Sequence, residues 1–185
     1  WRPETSTFHF PIGELTMTLQ DIEVLGGVKV DGNALVSDES GFTTTAKHAL
    51  VTDLLGIVTR DTFTDDGMIK FSWLCYTFNP QSVNKFSSVD YIMRVTRACM
   101  LLIIGSQYLQ DDKGVGVPVH YLAYMRDFDI CGQYSWGSAI LGYTYRSLTK
   151  AALIDKRGKS KRGVTGALQL LQYWAWSRFR FIRPE

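Results

Sequence analysis

The sequence predicts a mainly α-helical protein, a compact multi-helix domain around a central buried helix, with a small β-hairpin at its N-terminus. Apolar residues recur at helical spacing through most of the chain, and the longest such stretch covers residues 88–109. Short segments of alternating polarity, rich in aromatic and β-branched residues, stand near the start. The chain has 185 residues, of which 45% are hydrophobic, and this is enough for one buried core. We therefore expect a single domain over residues 1–185.

The first elements are a hairpin and a short helix. Residues 7–10 and 15–18 alternate in polarity on either side of Pro11-Ile-Gly13, which predicts two paired strands. Thr18 and Asp21 have the spacing of a capping box, in which the carboxylate also lies near the positive end of the helix dipole. A helix of about two turns should follow and end at the next pair of glycines.

The middle of the chain continues with a strand and two further core segments. Residues 28–32 predict a short strand that enters a turn, and Thr45–Leu55 predicts a second helix that ends at Gly56. Residues 69–78 are predicted to bring Phe71, Trp73 and Phe78 to the core. This segment should end at Asn79-Pro80.

The second half of the chain predicts helices throughout. The stretch 88–109 is apolar on all sides in its middle, which is typical of a helix surrounded by others, and it is the predicted central helix. Shorter helices are predicted over residues 118–126, 135–152 and 165–179, with Ser135 as the N-cap of the second of these.

Cysteine spacing and hydropathy exclude two classes of protein. Cys75, Cys99 and Cys131 stand far apart in mostly apolar surroundings, which predicts reduced, buried thiols and no disulfide framework. The most apolar run, residues 98–104, is far shorter than the roughly 20 residues that a membrane-spanning helix needs. The chain opens on Trp1 with no initiator Met and no leader, which is typical of a domain from a longer protein. We expect a soluble cytosolic or nuclear domain with no membrane partner.

Basic residues concentrate at the C-terminal end, although the formal net charge is only +2. Residues 146–185 hold 10 of the 20 Lys and Arg but only 2 of the 18 Asp and Glu. Five of these bases lie in one run, Lys156, Arg157, Lys159, Lys161 and Arg162. Such a run fits a nuclear import signal, a phosphate-contacting loop or a solvated connector between helices, and all three interpretations stay open.

No catalytic motif is complete. Residues 133–137 resemble the Gly-x-Ser-x-Gly nucleophile elbow, but Gln133 replaces the first glycine and no His follows Ser135. A helix cap is therefore the better interpretation of Ser135. Residues 158–160 resemble the end of a phosphate-binding loop, yet Leu153 occupies the position of the required earlier glycine.

Metal and carboxylate chemistry are not indicated either. His9, His48 and His120 are isolated, and no Cys-x-x-Cys or His-x-Glu spacing occurs. The acidic pairs at residues 65–66 and 111–112 lie beside glycines, where Asp is common for turn hydrogen bonds alone. We therefore predict no catalytic residue, no metal site and no cofactor, and a protein that is not an enzyme.

The remaining signal is aromatic. Of the five Trp in the chain, Trp136, Trp174 and Trp176 stand in two C-terminal blocks, and we predict that the first two lie in the core. On a helix, Trp176 shares a partly polar stripe with Gln169 and Gln172, where an indole can anchor a partner.

Arg146 completes the set of candidate partner contacts. It follows a Tyr-rich helical face, and a structural ion pair is the alternative role for its guanidinium. The predicted partner-binding residues are thus Trp176, Gln169, Gln172 and Arg146.

Four blocks resemble the plant mobile domain family, whose members carry them in the same order. The blocks are residues 1–5, 8–21, 133–146 and 168–178, beginning with Trp-Arg-Pro-Glu-Thr. The chain departs from the family pattern at residues 24–32, where a Leu-Gly-Leu-Pro type turn is common, and at Ala167, where a Cys often stands.

The resemblance implies a nuclear protein of a transposon-derived family that includes the maintenance-of-meristems group. It implies a non-catalytic protein-interaction module that acts in transposable-element silencing, gene expression and genome integrity, with a serine/threonine phosphatase-like partner of the PP7 type. The family has also been labelled aminotransferase-like. No framework for a pyridoxal phosphate Schiff base fits this sequence, so that label finds no support in the residues.

The basic C-terminal region supports a second hypothesis, a nucleic-acid-binding domain of a transposon-encoded protein that contacts DNA or chromatin. Its candidate contacts are Lys156, Arg157, Lys159, Lys161, Arg162, Arg178 and Arg180, together with Arg183. A degenerate enzyme of transposon origin is a third hypothesis, for which the residues offer no site.

Overall fold

A computed structural model of the chain describes residues 1–36, 42–110, 113–153 and 164–184. The α-helices in these ranges are α1 (Leu19–Gly26), α2 (Thr44–Leu55), α3 (Phe71–Thr77), α4 (Val89–Ile103), α5 (His120–Ala123), α6 (Phe128–Cys131), α7 (Trp136–Ala152) and α8 (Leu168–Arg178). The strands form two antiparallel pairs, β1 (Phe8–Phe10) with β2 (Gly13–Leu15) and β3 (Ile69–Lys70) with β4 (Gly116–Val117). The predicted fold class, mainly α with an N-terminal hairpin, is confirmed.

The described residues form two compact units that are interleaved along the chain. The terminal unit takes its residues from 1–35, 107–112 and 133–185, and the middle unit takes its residues from 36–106 and 113–132. The β1–β2 hairpin, α1, α7 and α8 belong to the terminal unit, whereas α2 to α6 belong to the middle unit. The expectation of a single domain over residues 1–185 stays a prediction.

The N-terminal hairpin is confirmed with a shifted second strand. Phe8 lies opposite Leu15 and Phe10 lies opposite Gly13, so β2 begins two residues earlier than the predicted strand. Beyond Leu15 the chain leaves the hairpin, and the Met17 carbonyl oxygen accepts a hydrogen bond from the hydroxyl of Tyr145 on α7.

The helix α1 begins and ends as its sequence predicts. The hydroxyl of Thr18 accepts a hydrogen bond from the backbone N–H of Asp21, and the Asp21 carboxylate accepts from the backbone N–H of Thr18 at 2.8 Å. This reciprocal pair is a capping box. At the other end Gly27 adopts φ 62°, the left-handed conformation that glycine reaches without strain.

Residues 28–32 do not form the predicted strand. Their carbonyl groups face the start of α7, where the N–H of Gly137 donates to Lys29 at 2.8 Å and the hydroxyl of Ser135 lies 2.6 Å from the Val30 oxygen. The contact is close enough that a Cβ on Gly137 would stand 2.7 Å from Val30 Cγ1. The segment is therefore a loop held against a helix N-terminus, although its alternating polarity is typical of a strand.

The helix α4 packs against α2, α3 and α5 in the middle unit, as its predicted central place requires. Its burial follows one face, because Ala98 and Leu101 are fully buried whereas Ile92 and Thr96, also inside the helix, are exposed. The helix continues into a π-helical segment, Ile104–Tyr108. The expectation that α4 is covered on all sides is therefore wrong, although its length is nearly that predicted.

A buried cation, Arg97, lies on the inner face of α4 and joins three parts of the middle unit. Its guanidinium donates to the carbonyl oxygens of Leu54 at 3.2 Å, Met125 at 2.9 Å and Arg126 at 3.0 Å. It also lies over the ring of Phe128, 5.2 Å from the centroid. The fork of donors on one side chain thus satisfies carbonyl groups at the end of α2 and after α5.

The three thiols differ in exposure. Cys131 is buried and Cys99 is half-buried, but Cys75 is exposed, so the prediction of buried thiols is wrong for Cys75. The cause is local, because α3 turns Trp73 and Leu74 into the core and leaves the next two residues outside. Over the ranges that the structure covers, no helix combines the length and apolarity needed to cross a membrane.

Candidate functional site

Those positions resembling catalytic motifs that the structure describes have structural roles. Ser135 precedes α7, but its hydroxyl does not cap the helix, because it lies 2.6 Å from both Val30 O and Ser138 Oγ. Ser135 is thus the N-cap residue of α7, as predicted, although its side chain makes no capping hydrogen bond. The acidic pair 65–66 lies in a turn that the N–H of Gly67 closes, with φ 75° at the glycine. Residues 111–112 and 158–160 lie outside the described residues.

His9 and His48 each contact a neighbouring side chain. His9 lies 3.6 Å from the carboxylate of Glu14 in the hairpin, and the His48 ring lies tilted against Phe63 with ring centroids 4.7 Å apart. Among the residues with described positions, no three His, Cys, Asp or Glu side chains are grouped so that they could hold a metal ion.

The C-terminal helix α8 is fixed to α7 by buried polar contacts at its start. The hydroxyl of Thr144 accepts from the N–H of Ala167 at 3.2 Å, and the hydroxyl of Ser147 accepts from the N–H of Thr165 at 2.7 Å. Between them, Gly166 turns the chain with φ 88°. These contacts satisfy polar groups on two buried turns of α7 and set the direction in which α8 leaves.

A continuous series of aromatic rings joins the N-terminal hairpin to α8. The Phe8 ring stacks on Trp174 at 5.7 Å and meets the edge of Trp1 at 5.0 Å. The Phe10 ring lies 5.0 Å from Phe179, which in turn lies 6.3 Å from Trp174. Such ring pairs stabilise a structure by about 0.5–1.5 kcal/mol each beyond the area they bury. The hairpin is therefore held rigidly against one side of α8.

An open, almost entirely apolar groove of about 530 Å³ lies along this contact. We call it the aromatic groove. It is lined by Phe8, Phe10, Leu168, Leu171, Gln172, Trp174, Ala175, Phe179, Phe181 and Ile182. The largest exposed side chain on it is Phe181, which is 86% accessible in the short 3₁₀ turn Arg180–Ile182 that follows α8. The groove is therefore an exposed apolar surface formed by residues of the terminal unit.

The predicted partner-binding residues lie on α7 and α8, and one of them lines the groove. Gln172 is exposed on its wall, whereas Gln169 is exposed elsewhere on α8. Trp176 is half-buried and lies against Tyr173, with ring centroids 5.7 Å apart. Arg146 is exposed on α7 and has no ion pair within the part of the chain that the structure describes.

Sequence reasoning missed most of the groove. In α8 the buried residues are Leu170 and Trp174, and the apolar stripe Leu168, Leu171 and Ala175 lies on the groove. Of the two predicted core indoles, Trp174 is 3% exposed and Trp136 is half-buried. The available signal was a repeated Phe-x-Phe at residues 8–10 and 179–181, which marks two short segments with large rings and little to bury them.

The predicted nucleic-acid contacts are only partly within the described residues. Lys156, Arg157, Lys159, Lys161 and Arg162 lie outside them. Arg180 and Arg183 are exposed beside the aromatic groove. The third described base, Arg178, donates to the carboxylate of Asp21 at 2.8 Å.

The Asp21 carboxylate is held ionised by its partners. Burial alone raises the pKa of Asp21, but the hydrogen bonds from the backbone and side chain of Thr18, together with the positive charge of Arg178, outweigh it. The pKa of Asp21 therefore lies below its ordinary value. The pair places a fixed ionic contact between α1 and α8, close to the end of the groove.

Relatives of the chain are found among plant proteins. Protein MAIN-LIKE 2 of Arabidopsis thaliana is 37% identical over 185 residues, which is all of this chain and 26% of that protein. Serine/threonine-protein phosphatase 7 long form homolog of the same plant is 37% identical over 186 residues, and the match covers 13% of its length. Protein MAINTENANCE OF MERISTEMS, also from Arabidopsis thaliana, is 31% identical, and the match covers 37% of that protein. This chain therefore spans well under half the length of these relatives.

No solved structure matches the chain. The family model for the plant mobile domain matches residues 1–185, the whole of the sequence. This match agrees with the four sequence blocks, two of which supply the hairpin and α8 on either side of the aromatic groove. The chain belongs to the plant mobile domain family.

Proposed function

We propose that this domain is a non-catalytic protein-interaction module of a nuclear protein, and that it docks a serine/threonine phosphatase-like protein of the PP7 type. The observation that supports the proposal most strongly is the aromatic groove, a preformed apolar surface with exposed Phe181 on its edge. Buried aromatic anchors dominate the energetics of protein interfaces, and a groove of this size accepts one or two of them.

The relatives support the proposed partner class. The same domain occurs within proteins of different lengths, and one of these is named as a phosphatase 7 long form homolog. A domain that is covalently joined to a phosphatase-like chain in one protein is a reasonable docking module for a separate phosphatase-like chain in another.

The direct test is complex formation between the full-length parent protein and a purified PP7-type phosphatase-like protein. We expect the mixture to elute as a stable complex in size-exclusion chromatography, ahead of either protein run alone. Calorimetry should show heat of binding. Absence of a complex at micromolar concentrations would contradict the proposed partner. Turnover of any substrate by the purified domain, abolished by one substitution in an ordered pocket, would contradict the non-catalytic role.

The proposed biological role is transposable-element silencing, control of gene expression and maintenance of genome integrity in the nucleus. Plants that lack the parent protein should accumulate transposable-element transcripts, and the wild-type gene should restore silencing. A gene with Phe181→Ala should restore it less well, because the exposed ring is removed from the groove without disturbing the core. Full restoration of silencing by this variant would show that silencing does not need the exposed ring of the groove.

A second candidate function is nonspecific nucleic-acid binding, which the exposed Arg180 and Arg183 favour. Titration of the chain with single-stranded and double-stranded DNA at low and high salt tests it. Binding by this route should weaken steeply with salt, and the slope should fall when Arg180 and Arg183 are replaced by Ala. Replacement of the five bases at residues 156–162 tests the other half of the predicted surface. If both variants keep the wild-type slope, this function loses its support.

A further inference from the structure

We infer that the aromatic groove binds an amphipathic helical segment of a partner protein, in which two or three apolar residues at helical spacing are flanked by Asp and Glu. The inference rests on the proposed function and adds the chemistry of the occupant. It follows from the length of the groove, the rigidity of its walls and the charge of the elements that form it.

The groove has the length of two helical turns. Its α8 wall runs from Leu168 through Leu171 to Ala175, which is roughly 10 Å at a rise of 1.5 Å per residue. A partner helix that presents apolar residues at positions i, i+3 or i+4, and i+7 covers the same distance. On this wall Ala175 contributes only a methyl group, which leaves room for one bulky anchor.

The walls of the groove are formed before anything binds. Phe8 is stacked on Trp174, and Phe10 is held against Phe179, so the floor rings already have fixed neighbours. Binding therefore needs little ordering of the domain, and this favours affinity. The side chains that an occupant would cover are those on the edges, chiefly Phe181 at 86% exposure and Ile182 at 48%.

The charge of the groove elements selects an acidic occupant. The strand β1, the helix α8 and the 3₁₀ turn Arg180–Ile182 contain no Asp or Glu. They contain Arg178 and Arg180, and the exposed Arg183 follows directly. The nearest paired carboxylate, Asp21, already accepts hydrogen bonds from Thr18 and Arg178. An occupant with flanking carboxylates would therefore meet the exposed guanidinium groups of Arg180 and Arg183, which have no ion pair among the described residues, at the C-terminal end of the groove.

The lining favours a peptide over a nucleic acid. Apart from Gln172 and the indole of Trp174, every lining side chain is a hydrocarbon, and several are aliphatic. Single-stranded nucleic acid needs open ring faces for stacking and polar groups along its backbone. Here Trp174 covers a face of Phe8, and among the lining rings only Phe181 is largely exposed, so successive bases would not find a row of open rings.

The test is a selection from a display library of random peptides of about 16 residues, a length of four helical turns, with the whole 185-residue chain as the immobilised target. We expect recovered peptides to share apolar residues at helical spacing with flanking Asp or Glu. Their affinities are then measured by fluorescence anisotropy at low and high salt. Failure to recover any binder, or recovery of binders with flanking Lys or Arg, would overturn the inference.

Variants assign the binding to the groove. Ala175→Trp fills the space on α8, and Phe181→Ala removes the exposed ring, so each should weaken the selected peptides by roughly tenfold or more. The matched control is Phe86→Ala in the middle unit, because Phe86 is also 86% exposed but is not one of the residues that line the groove. Equal loss in Phe86→Ala and Phe181→Ala would show that the peptides do not bind there.

Charge variants test the acidic flanks. Replacing Arg180 and Arg183 by Glu should lower the affinity for the selected peptides by roughly tenfold and reduce its salt dependence. Arg60→Glu, at an exposed site in the middle unit, is the control and should change neither. Displacement of a bound peptide by oligothymidylate at equal concentration would instead identify the groove as a nucleic-acid site.

The outcomes for the groove and for the proposed function are distinguishable. If the PP7-type protein binds wild type and Phe181→Ala equally well, the domain is an interaction module but the groove is not its docking surface. If acidic amphipathic peptides bind the groove and the PP7-type protein does not bind the parent chain, the inference holds and the proposed partner is wrong. Dimerisation of the chain that Phe181→Ala abolishes would show a second copy to be the occupant.

Discussion

The guanidinium of Arg178 in the last turn of α8 lies 2.8 Å from the carboxylate of Asp21 in the first turn of α1. The other oxygen of the same carboxylate accepts from the backbone N–H and the hydroxyl of Thr18, each at 2.8 Å. One buried side chain therefore both starts α1 and ties it to the end of α8. The two sets of hydrogen bonds fix the position of the last turn of α8 at the C-terminal end of the aromatic groove.

Replacement of this carboxylate should destabilise the terminal unit. Both carboxylate oxygens of Asp21 accept hydrogen bonds, whereas the amide of Asn has only one oxygen and carries no charge. Asp21→Asn therefore weakens both the capping box and the ion pair with Arg178. We expect a loss of about 1–2 kcal/mol in the free energy of unfolding at neutral pH, measured by urea denaturation. Asp31→Asn, at an exposed carboxylate of the same unit, is the control and should lie within about 0.5 kcal/mol of wild type.

The contribution of Asp21 should also depend on pH. Its folded pKa lies below the unfolded value of about 3.9, so the ionised form stabilises the folded state. The contribution is fully present above the unfolded pKa and is lost as the pH falls from about 5 through the lower folded pKa. The difference in stability between wild type and Asp21→Asn should therefore shrink on acidification to about pH 3. A difference that stays constant between neutral and acidic pH would contradict the assignment.

Among the basic side chains of the middle unit, Arg97 should be the one whose replacement lowers the free energy of unfolding most. Arg97→Met keeps the apolar stem but removes the donors to the carbonyl oxygens of Leu54, Met125 and Arg126. Two buried acceptors and one part-buried acceptor lose a charged donor at once, so we expect a loss of about 3 kcal/mol or more, measured by chemical denaturation. A loss below about 1 kcal/mol would mean that water replaces the guanidinium without cost.

The matched control for Arg97 is another arginine of the same unit. Arg126 donates to the carboxylate of Asp53 at 2.6 Å, but both side chains are more than half exposed. Surface ion pairs of this kind contribute only about 0–1 kcal/mol. Arg126→Met should therefore cost much less than Arg97→Met, although its ion pair is the shorter contact.

Nuclear import should depend on the basic run rather than on the bases near the groove. A fluorescent fusion too large to diffuse through nuclear pores should enter the nucleus as wild type and stay in the cytoplasm when Lys156, Arg157, Lys159, Lys161 and Arg162 are replaced by Ala. The same fusion with Ala at Arg180 and Arg183 is the control and should enter normally. Unchanged import of the fivefold variant would favour the connector interpretation of residues 156–162.

The parts of the fold that were predictable from sequence are those that local chemistry decides. The start and end of α1 follow from Thr18, Asp21 and the glycine pair, because hydroxyl, carboxylate and left-handed glycine each have one good role at a helix terminus. The same holds for α2, whose end at Gly56 adopts φ 80°. Helices α7 and α8 also lie within a few residues of their predicted bounds.

The parts that were not predictable depend on contacts between distant segments. The segment 28–32 alternates like a strand, but the start of α7 takes its carbonyl groups. The role of Arg97 requires carbonyl groups from two other segments, and nothing near it in the sequence signals them. The groove itself arises because the first and last parts of the chain meet through Phe8 and Trp174, 166 positions apart in the sequence.

Two glycines of α7 should respond in opposite directions to the same substitution. Gly137 lies against the 28–32 loop, and a Cβ there would stand 2.7 Å from Val30 Cγ1 and 3.0 Å from the Lys29 oxygen, so Gly137→Ala should cost about 1–3 kcal/mol. Gly142 has open space around its Cα in the same helix, so Gly142→Ala should stabilise the protein by about 0.5–1 kcal/mol through helix propensity. Urea denaturation followed by circular dichroism measures both. If Gly137→Ala also stabilises, the loop does not lie as close to α7 as its hydrogen bonds to Gly137 and Ser135 require.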